Sequence, residues 1–279
     1  MNEKKLLNIG CGVNAHPEWT NIDIVGSLPG VIVHDVRRGL PFLDSRFEAC
    51  YCSHMLEHVT RSQARIIVDE AHRVLQPNGI VRLVVPDLEQ IVRLYLKSLE
   101  DVVSDHGYKE SDYDWMMLEL LDQTVRGTPG GEMFAYLSDM NIPNKKFVVS
   151  RIGLEAERLL KISSRPKGGR IWSSLKTKKL AWFVKQFRNE FASFFVLLIA
   201  GIDARRSFRE GLFRDAGEIH RWMYDRFSLT RLLTQAGFSN IRLCKADVSL
   251  IPRFNIYNLD VIDKRVRKPD SLYVEAIKL

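Results

Sequence analysis

The chain has 279 residues, 46% hydrophobic and 27% charged, with a net charge of +7 and four cysteines. This is the composition of a folded protein with ample material for a core, either one large α/β domain or a domain carrying a sizeable insertion. Four cysteines (Cys11, Cys50, Cys52 and Cys244) are too few for a disulfide framework and read as reduced, which implies a cytoplasmic setting. No apolar run reaches 18 residues, which argues against a transmembrane helix. The opening MNEKKLLNIG reads as a first strand and not as a secretion signal.

In chain order, LLNI (6–9), NIDI (21–24), VIVHD (31–35) and EACYCS (48–53) are short apolar stretches that predict four strands. Thr60 with Gln63 forms a capping box, and Ala64, Val68, Ala71 and Leu75 follow at helical spacing. Pro77-Asn78-Gly79 predicts the stop of that helix, and GIVRLVVP (79–86) a fifth strand. A helix over 87–105 carries Leu88, Ile91, Val92, Tyr95 and Leu99 on one face. The pattern then breaks for about a hundred residues. It returns with a helix in FSLTRLLTQAGF (227–238), where Ser228 is the expected N-cap and Gly237 the stop. NIRLCKA (240–246) and SLYVEAIKL (271–279) predict two last strands. Strands alternating with helices predict a mostly parallel sheet covered on both faces.

The first strand runs straight into Gly10-Cys11-Gly12, and the second ends near Asp23. Glycines there permit a sharp turn and a close approach of backbone to ligand. In open α/β sheets the ligand lies off the carboxyl ends of the strands. Asp23 is placed to accept from ribose hydroxyls, and Asp35 from an adenine amino group, so the group suggests a nucleoside ligand. Two glycines in a tight turn also serve structure alone. The dinucleotide fingerprint G-x-G-x-x-G is absent, since its third position is Ala15, and no Gly-Lys-Ser/Thr phosphate loop follows.

The pieces LLNIGCG, NIDI, HDVRRGLPF, FEACYCSHMLEHV and AHRVLQPNGIVRLVVPD occur in this order over residues 6–87. In this the sequence resembles the class I S-adenosylmethionine (SAM)-dependent methyltransferases. GEIHRWMYDRFSLTRLLTQAGF and KPDSLYVEAIKL further resemble a subgroup of predicted methyltransferases associated with polysaccharide and lipopolysaccharide biosynthesis. The resemblance implies a Rossmann-like fold with a seven-stranded sheet, and SAM as cofactor. It implies that Gly10, Cys11 and Gly12 line the methionine part of SAM. Asp23 would hold the ribose, Asp35 and Val36 would lie by the adenine, and Ser53 and His54 would face the sulfonium. Asn8, standing where the family carries an acid, joins this cofactor set. Asn14 replaces the family's third glycine, and the first helix looks abbreviated.

Methyl transfer to a hydroxyl is helped by a base, and histidine suits that role. The candidates are His54, His58 and His220, with Asp87 facing the acceptor. Asp87 also reads as a helix cap, His54 as a wall of the pocket, and His58 as structural. His220 sits in EIHRWMYD, where Glu218, Arg221 and Asp225 interleave with Trp222 and Tyr224, which suits a sugar acceptor, with a buried helix-start cluster satisfying itself as the alternative. Cys50, Cys52 and His54 share one strand face, but neighbours on one strand rarely close a tetrahedral site, and no metal is expected.

Residues 165–188 hold eight Lys and Arg and no acid, so the rest of the chain is close to neutral. FASFFVLLIAGI (191–202) follows directly. Basic and aromatic residues before a short apolar stretch suggest an interfacial helix on an anionic membrane, with a core or subunit-contact helix as the alternative. Nucleic acid is not an expected partner. These readings divide the chain into 1–105 (first part of the SAM-binding domain), 106–215 (a basic, aromatic insertion) and 216–279 (its last part). The expected activity is O-methylation of a sugar or glycan intermediate, lipid-linked in one variant, at the inner face of a membrane. The alternatives are an RNA or protein methyltransferase and a non-catalytic SAM-binding scaffold.

Overall fold

The computed structural model describes residues 4–26, 28–104, 110–139, 141–163 and 180–279. Its strands are β1 (Leu6–Ile9), β2 (Thr20–Asp23), β3 (Val31–Val33), β4 (Phe47–Ser53), β5 (Leu75–Pro86), β6 (Phe238–Cys244), β7 (Val261–Ile262), β8 (Arg265–Val266) and β9 (Ser271–Lys278). Seven form one sheet in the order β3-β2-β1-β4-β5-β9-β6. β9 runs antiparallel to both of its neighbours, and the other pairings are parallel. β7 and β8 make a separate small ribbon. The chain builds outward from β1 through β2 to β3, then returns to the other side of β1 with β4. The switch between β1 and β4 therefore brings the end of β1 beside that of β4, with Ile9 opposite Cys52.

The helices are α1 (Arg61–Val74), α2 (Leu88–Val103), α3 (Glu110–Val125), α4 (Gly131–Leu137), α5 (Lys145–Ser163), α6 (Leu180–Arg214) and α7 (Arg226–Gln235). α1 starts on the expected capping box of Thr60 and Gln63 and buries Ala64, Ile67, Val68, Ala71 and Val74. Strand alternation on β4 divides the core. Cys50 and Cys52 face α1 and α7, while Ala49 and Tyr51 pack with Trp19, Phe254 and Leu259 on the other face. The two cysteines are buried apolar residues there, and all four thiols are free. α2 to α5 bury their own core around Trp115, Met116 and Leu137.

Three boundaries differ from the sequence expectation. α1 ends at Val74 and β5 begins at Leu75, before the Pro77-Asn78-Gly79 turn. Leu75 pairs with Phe47 and Ile80 with Ala49, so the turn loops out of the strand as an irregularity and does not precede it. α7 is capped by Asp225 and not by Ser228; Ser228 is the third residue of the capping box and donates back to Asp225. VIVHD forms a strand only to Val33, because Asp35 caps a short 3₁₀ turn over Val36–Arg38.

Two glycines break long helices. Gly153 (φ 56°) interrupts α5, and a Cβ there would lie 2.6 Å from the Arg267 carbonyl and from Pro269. Gly201 (φ 84°) interrupts α6. Beyond it the chain folds back, since Arg205 and Arg209 both donate to Ser193 Oγ at 3.1 Å and Arg209 pairs with Glu190 at 2.5 Å. α6 is thus a helical hairpin with Gly201 at its tip. Most of the basic segment, residues 164–179, lies outside the described residues.

Candidate active site

The glycine turn sits at the end of β1. Gly10 (φ 68°) and Gly12 (φ 52°) are both left-handed. A Cβ on Gly10 would lie 2.6 Å from Met55 Cγ, whereas one on Gly12 would meet nothing within 4 Å. Gly10 is therefore required by close packing under the loop, and Gly12 leaves open space above it. Asp23 ties the turn to β2: its Oδ2 accepts from Gly12 N and its Oδ1 from Val25 N, each at 2.8 Å. Burial, with the nearby Asp23 charge, pushes the Cys11 thiol up to about 11, so it stays protonated.

No helix joins β1 to β2. The connection is held by two buried amides. Asn8 donates to Asn14 O and to Asn21 Oδ1, both at 3.1 Å, and Asn21 donates to His16 O at 2.8 Å and Trp19 O at 2.9 Å. A carboxylate at position 8 has no proton to donate in these bonds. Asn8 is thus committed to the loop and faces no open space. Val13, Ile24 and Val25 are each more than half exposed around the turn. An open glycine turn, a carboxylate with spare lone pairs and uncovered apolar side chains fit a nucleoside with an amino-acid tail. Asp35, in contrast, is forked by Arg37 at 2.7 and 2.8 Å, and that guanidinium holds its carboxyl below the usual range. Val36 beside it is buried.

Ser53 and His54 stand at the end of β4, with Ser53 opposite Val84 of β5. His54 is left-handed (φ 50°), and its amide donates to Val84 O. Its ring bridges two groups, with Nε2 2.9 Å from Ser271 Oγ and Nδ1 3.1 Å from Glu57 Oε1. Asp87 follows β5 and caps α2 by accepting from Gln90 N; burial raises its carboxyl. Gly10, Asp23, His54 and Asp87 thus lie at the carboxyl ends of β1, β2, β4 and β5. Asn8 lies within the sheet, and the Asp35 carboxylate is paired elsewhere.

Glu57 was not singled out from sequence, yet His54, His58 and His220 gather around it. It is fully buried in the 3₁₀ turn Leu56–His58. Its carbonyl accepts from Arg221 N (2.7 Å) and Trp222 N (3.2 Å), which pins the HRW segment against the end of β4. Its carboxylate is 4.0 Å from His58 Nε2, and His58 packs edge-on against His220 with ring centroids 4.9 Å apart. Burial acts to raise the Glu57 carboxyl, but His54, His58 and His220 outweigh it and bring it to about 2. Burial lowers His220 to about 3 against the pull of Glu57, so its ring is neutral and a weak proton acceptor. The signal available in sequence was a Glu-His pair directly after a buried strand.

A cavity of about 800 Å³ opens beside this cluster, lined by Thr60, Leu88, Arg214, His220, Arg221 and Trp222 among others. Arg61 lies 4.7 Å over the Trp222 ring, and Arg221 pairs with Asp215. Cations, an acid, a hydroxyl and an indole face therefore share one cavity.

Residues 11–83 match the profile of a family described as a methyltransferase domain. No curated protein matches the sequence. Among solved structures the chain is similar to a SAM-dependent methyltransferase, possible histamine N-methyltransferase, from Thermotoga maritima. That likeness has 12% identity, covers 100% of this chain and 84% of the other, and has a TM-score of 0.41. A SAM-dependent methyltransferase from Archaeoglobus fulgidus matches at 11% identity, over 99% and 87%, with a TM-score of 0.39. PKMT2 from Rickettsia typhi, in complex with AdoHcy, matches at 12% identity over 99% of this chain and 50% of its own, with a TM-score of 0.35. The profile match marks a methyltransferase domain over residues 11–83, and the sheet order and the glycine turn give it a Rossmann-like fold suited to S-adenosylmethionine.

Proposed function

We propose that the enzyme O-methylates a sugar or glycan intermediate, and that it does so at an anionic membrane surface. The observation that carries the acceptor is the cavity beside the Glu57–His220 cluster. Trp222 offers a flat apolar face, and Thr60, Arg214, Arg221 and Asp215 offer hydrogen-bonding groups around it. Sugars have both kinds of surface, and binding sites match them with an aromatic face and converging polar groups.

When bound, SAM supplies an electrophilic methyl group on a sulfonium, which departs as a neutral thioether. Gly10, Gly12 and Asp23 hold it at the end of β1 and β2. His54 stands at the end of β4 with its ring held between Ser271 and Glu57, and as the base it would take the hydroxyl proton on Nε2 in place of its contact with Ser271. His220 is a ligand to the acceptor in this reading, because a base with so low a pKa retains a proton poorly. The three parts of the chain, 1–105, 106–215 and 216–279, divide the work: the outer two build the cofactor edge, and the middle part contributes one wall of the acceptor cavity through Thr124, Gly211 and Arg214. The test is methyl transfer from radiolabelled SAM across glycolipid, RNA and protein fractions. Label in the glycolipid fraction supports the reading. Label only in RNA or protein overturns it.

A further inference from the structure

Four imidazole and carboxylate side chains converge beside the acceptor cavity. Ligating atoms of Glu57, His58 and His220 all lie within 4.8 Å of one another. We propose that Glu57, His58 and His220 bind a divalent transition-metal ion of the Zn²⁺, Mn²⁺ or Fe²⁺ kind, which then engages the acceptor hydroxyl. Two imidazoles and one carboxylate suit such an ion, whereas Mg²⁺ and Ca²⁺ prefer oxygen ligands alone.

Three observations beyond proximity point to a ligand. His220 is 5% exposed, and its Nδ1 has no partner among the described residues. Glu57 is 0% exposed, and its Oε2 likewise has no hydrogen-bond donor. Buried polar atoms are nearly always satisfied, so two orphans within one cluster of ligating side chains mark a missing partner. His58 is already oriented: its Nδ1 lies 3.2 Å from Ile219 O, and donation there leaves the Nε2 lone pair toward Glu57. Metal-ligating histidines are held in this way by a carbonyl behind the ring. His54 plays the same outer part for the carboxylate, with Nδ1 3.1 Å from Glu57 Oε1.

The cluster is also rigid. His220 N donates to Gln123 O, while Arg221 N and Trp222 N donate to Glu57 O. These backbone bonds fix the two halves of the site across 163 positions of sequence, so only a small closure of the side chains is needed. Ile219 and His220 line the acceptor cavity, which leaves the ion's remaining positions open to a substrate oxygen. In the reaction the inference rests on, as proposed above, a metal-bound hydroxyl loses its proton to His54 and on to solvent. The O–C bond then forms as the methyl C–S bond breaks, and the electron pair stays on sulfur.

The test is titration of chelator-treated full-length protein with Co²⁺ and Zn²⁺, followed by cobalt absorption and calorimetry. One ion per chain is expected, with affinity lowered more than about tenfold in His220→Gln and in Glu57→Gln. His58→Gln is the second variant where either of these fails to fold, as read by circular dichroism. S-adenosylhomocysteine binding should persist in all three. Absence of binding by the intact protein, or equal binding by a folded His220→Gln, overturns the metal site. Metal binding without methylated glycolipid keeps the site and removes the acceptor assignment alone.

Discussion

Asp23 accepts amides on both sides of the turn it closes, Gly12 N before it and Val25 N after it. Its removal therefore loosens the cofactor loop as well as deleting a hydroxyl acceptor. Asp23→Ala should weaken S-adenosylhomocysteine binding by more than about tenfold, given about 1.5–3 kcal/mol for hydrogen bonds to a charged group. Asp23→Asn keeps one acceptor oxygen and should lose less. Calorimetric titration of the three proteins checks this, and equal affinities would remove Asp23 from the site. The place of Asp23 at the end of a short buried strand was legible in sequence, whereas its two bonds to the turn's amides were not. Glu57 was not, because its role depends on His220, which the fold brings from far along the chain. Asn8 was legible as a departure from the family pattern but not as the loop's tether, since its partners are backbone carbonyls and the side chain of Asn21.

At the level of elements, the strand β5 carries a buried cation in its middle. Arg82 stands in register opposite Glu275 of β9. It donates to Glu275 at 2.8 Å and to Asp260 at 2.7 Å, while Tyr51 donates to the other Asp260 oxygen at 2.5 Å. All four side chains are buried. Removing the cation leaves the buried Asp260 carboxylate without its ion pair, while Glu275 keeps Arg242 at 2.9 Å. Arg82→Met should cost about 3–5 kcal/mol in chemical denaturation, the usual cost of breaking a buried pair. A loss below about 1 kcal/mol would show that the carboxylates find other partners. Gly153 sets a second constraint, because it lets α5 pass the Arg267 carbonyl with the Leu154 amide bonded to it at 3.1 Å. Gly153→Ala meets both a left-handed backbone and a collision. It should destabilise by about 1–3 kcal/mol, whereas Ala at Gly211, which has open space around it, should be nearly neutral. The sequence reads β5 as an apolar strand, and the role of its lone arginine emerges only when the fold brings Asp260 and Glu275 to it. Strand and helix order followed from apolar period and caps. The long helical region did not, because the close approach of Gly153 to the Arg267 carbonyl depends on the tertiary fold and the reversal at Gly201 on contacts between the two arms of α6.

The distribution of apolar surface over the whole molecule is uneven, and the α6 hairpin holds much of it. Phe187, Phe191, Phe194, Leu198, Ile199 and Ile202 are each more than half exposed, with Ile199 at 83%. Around Gly201, Leu198, Ile199 and Ile202 form an apolar tip, while the returning arm carries Arg205, Arg206, Arg209 and Arg214. Among the described residues no helix is long and apolar enough to cross a membrane. An apolar tip above arginines suits insertion into one leaflet, with the cations at the level of the lipid phosphates. Arg214 and Gly211 at the base of the hairpin also line the acceptor cavity, so docking would place that cavity close to a lipid-linked acceptor. The prediction concerns Ile199→Asp combined with Ile202→Asp. Both side chains are already exposed, so the thermal midpoint should be unchanged, while co-sedimentation with vesicles containing anionic phospholipid should fall by more than about tenfold. Each buried CH₂ contributes about 0.8 kcal/mol, and two isoleucines supply enough of them to exceed that factor. Salt should weaken binding of the intact protein without abolishing it, because the apolar contribution is not screened. Binding that salt removes completely, and that the double substitution leaves intact, would assign the contact to the arginines alone and leave the hairpin tip without a role at the bilayer.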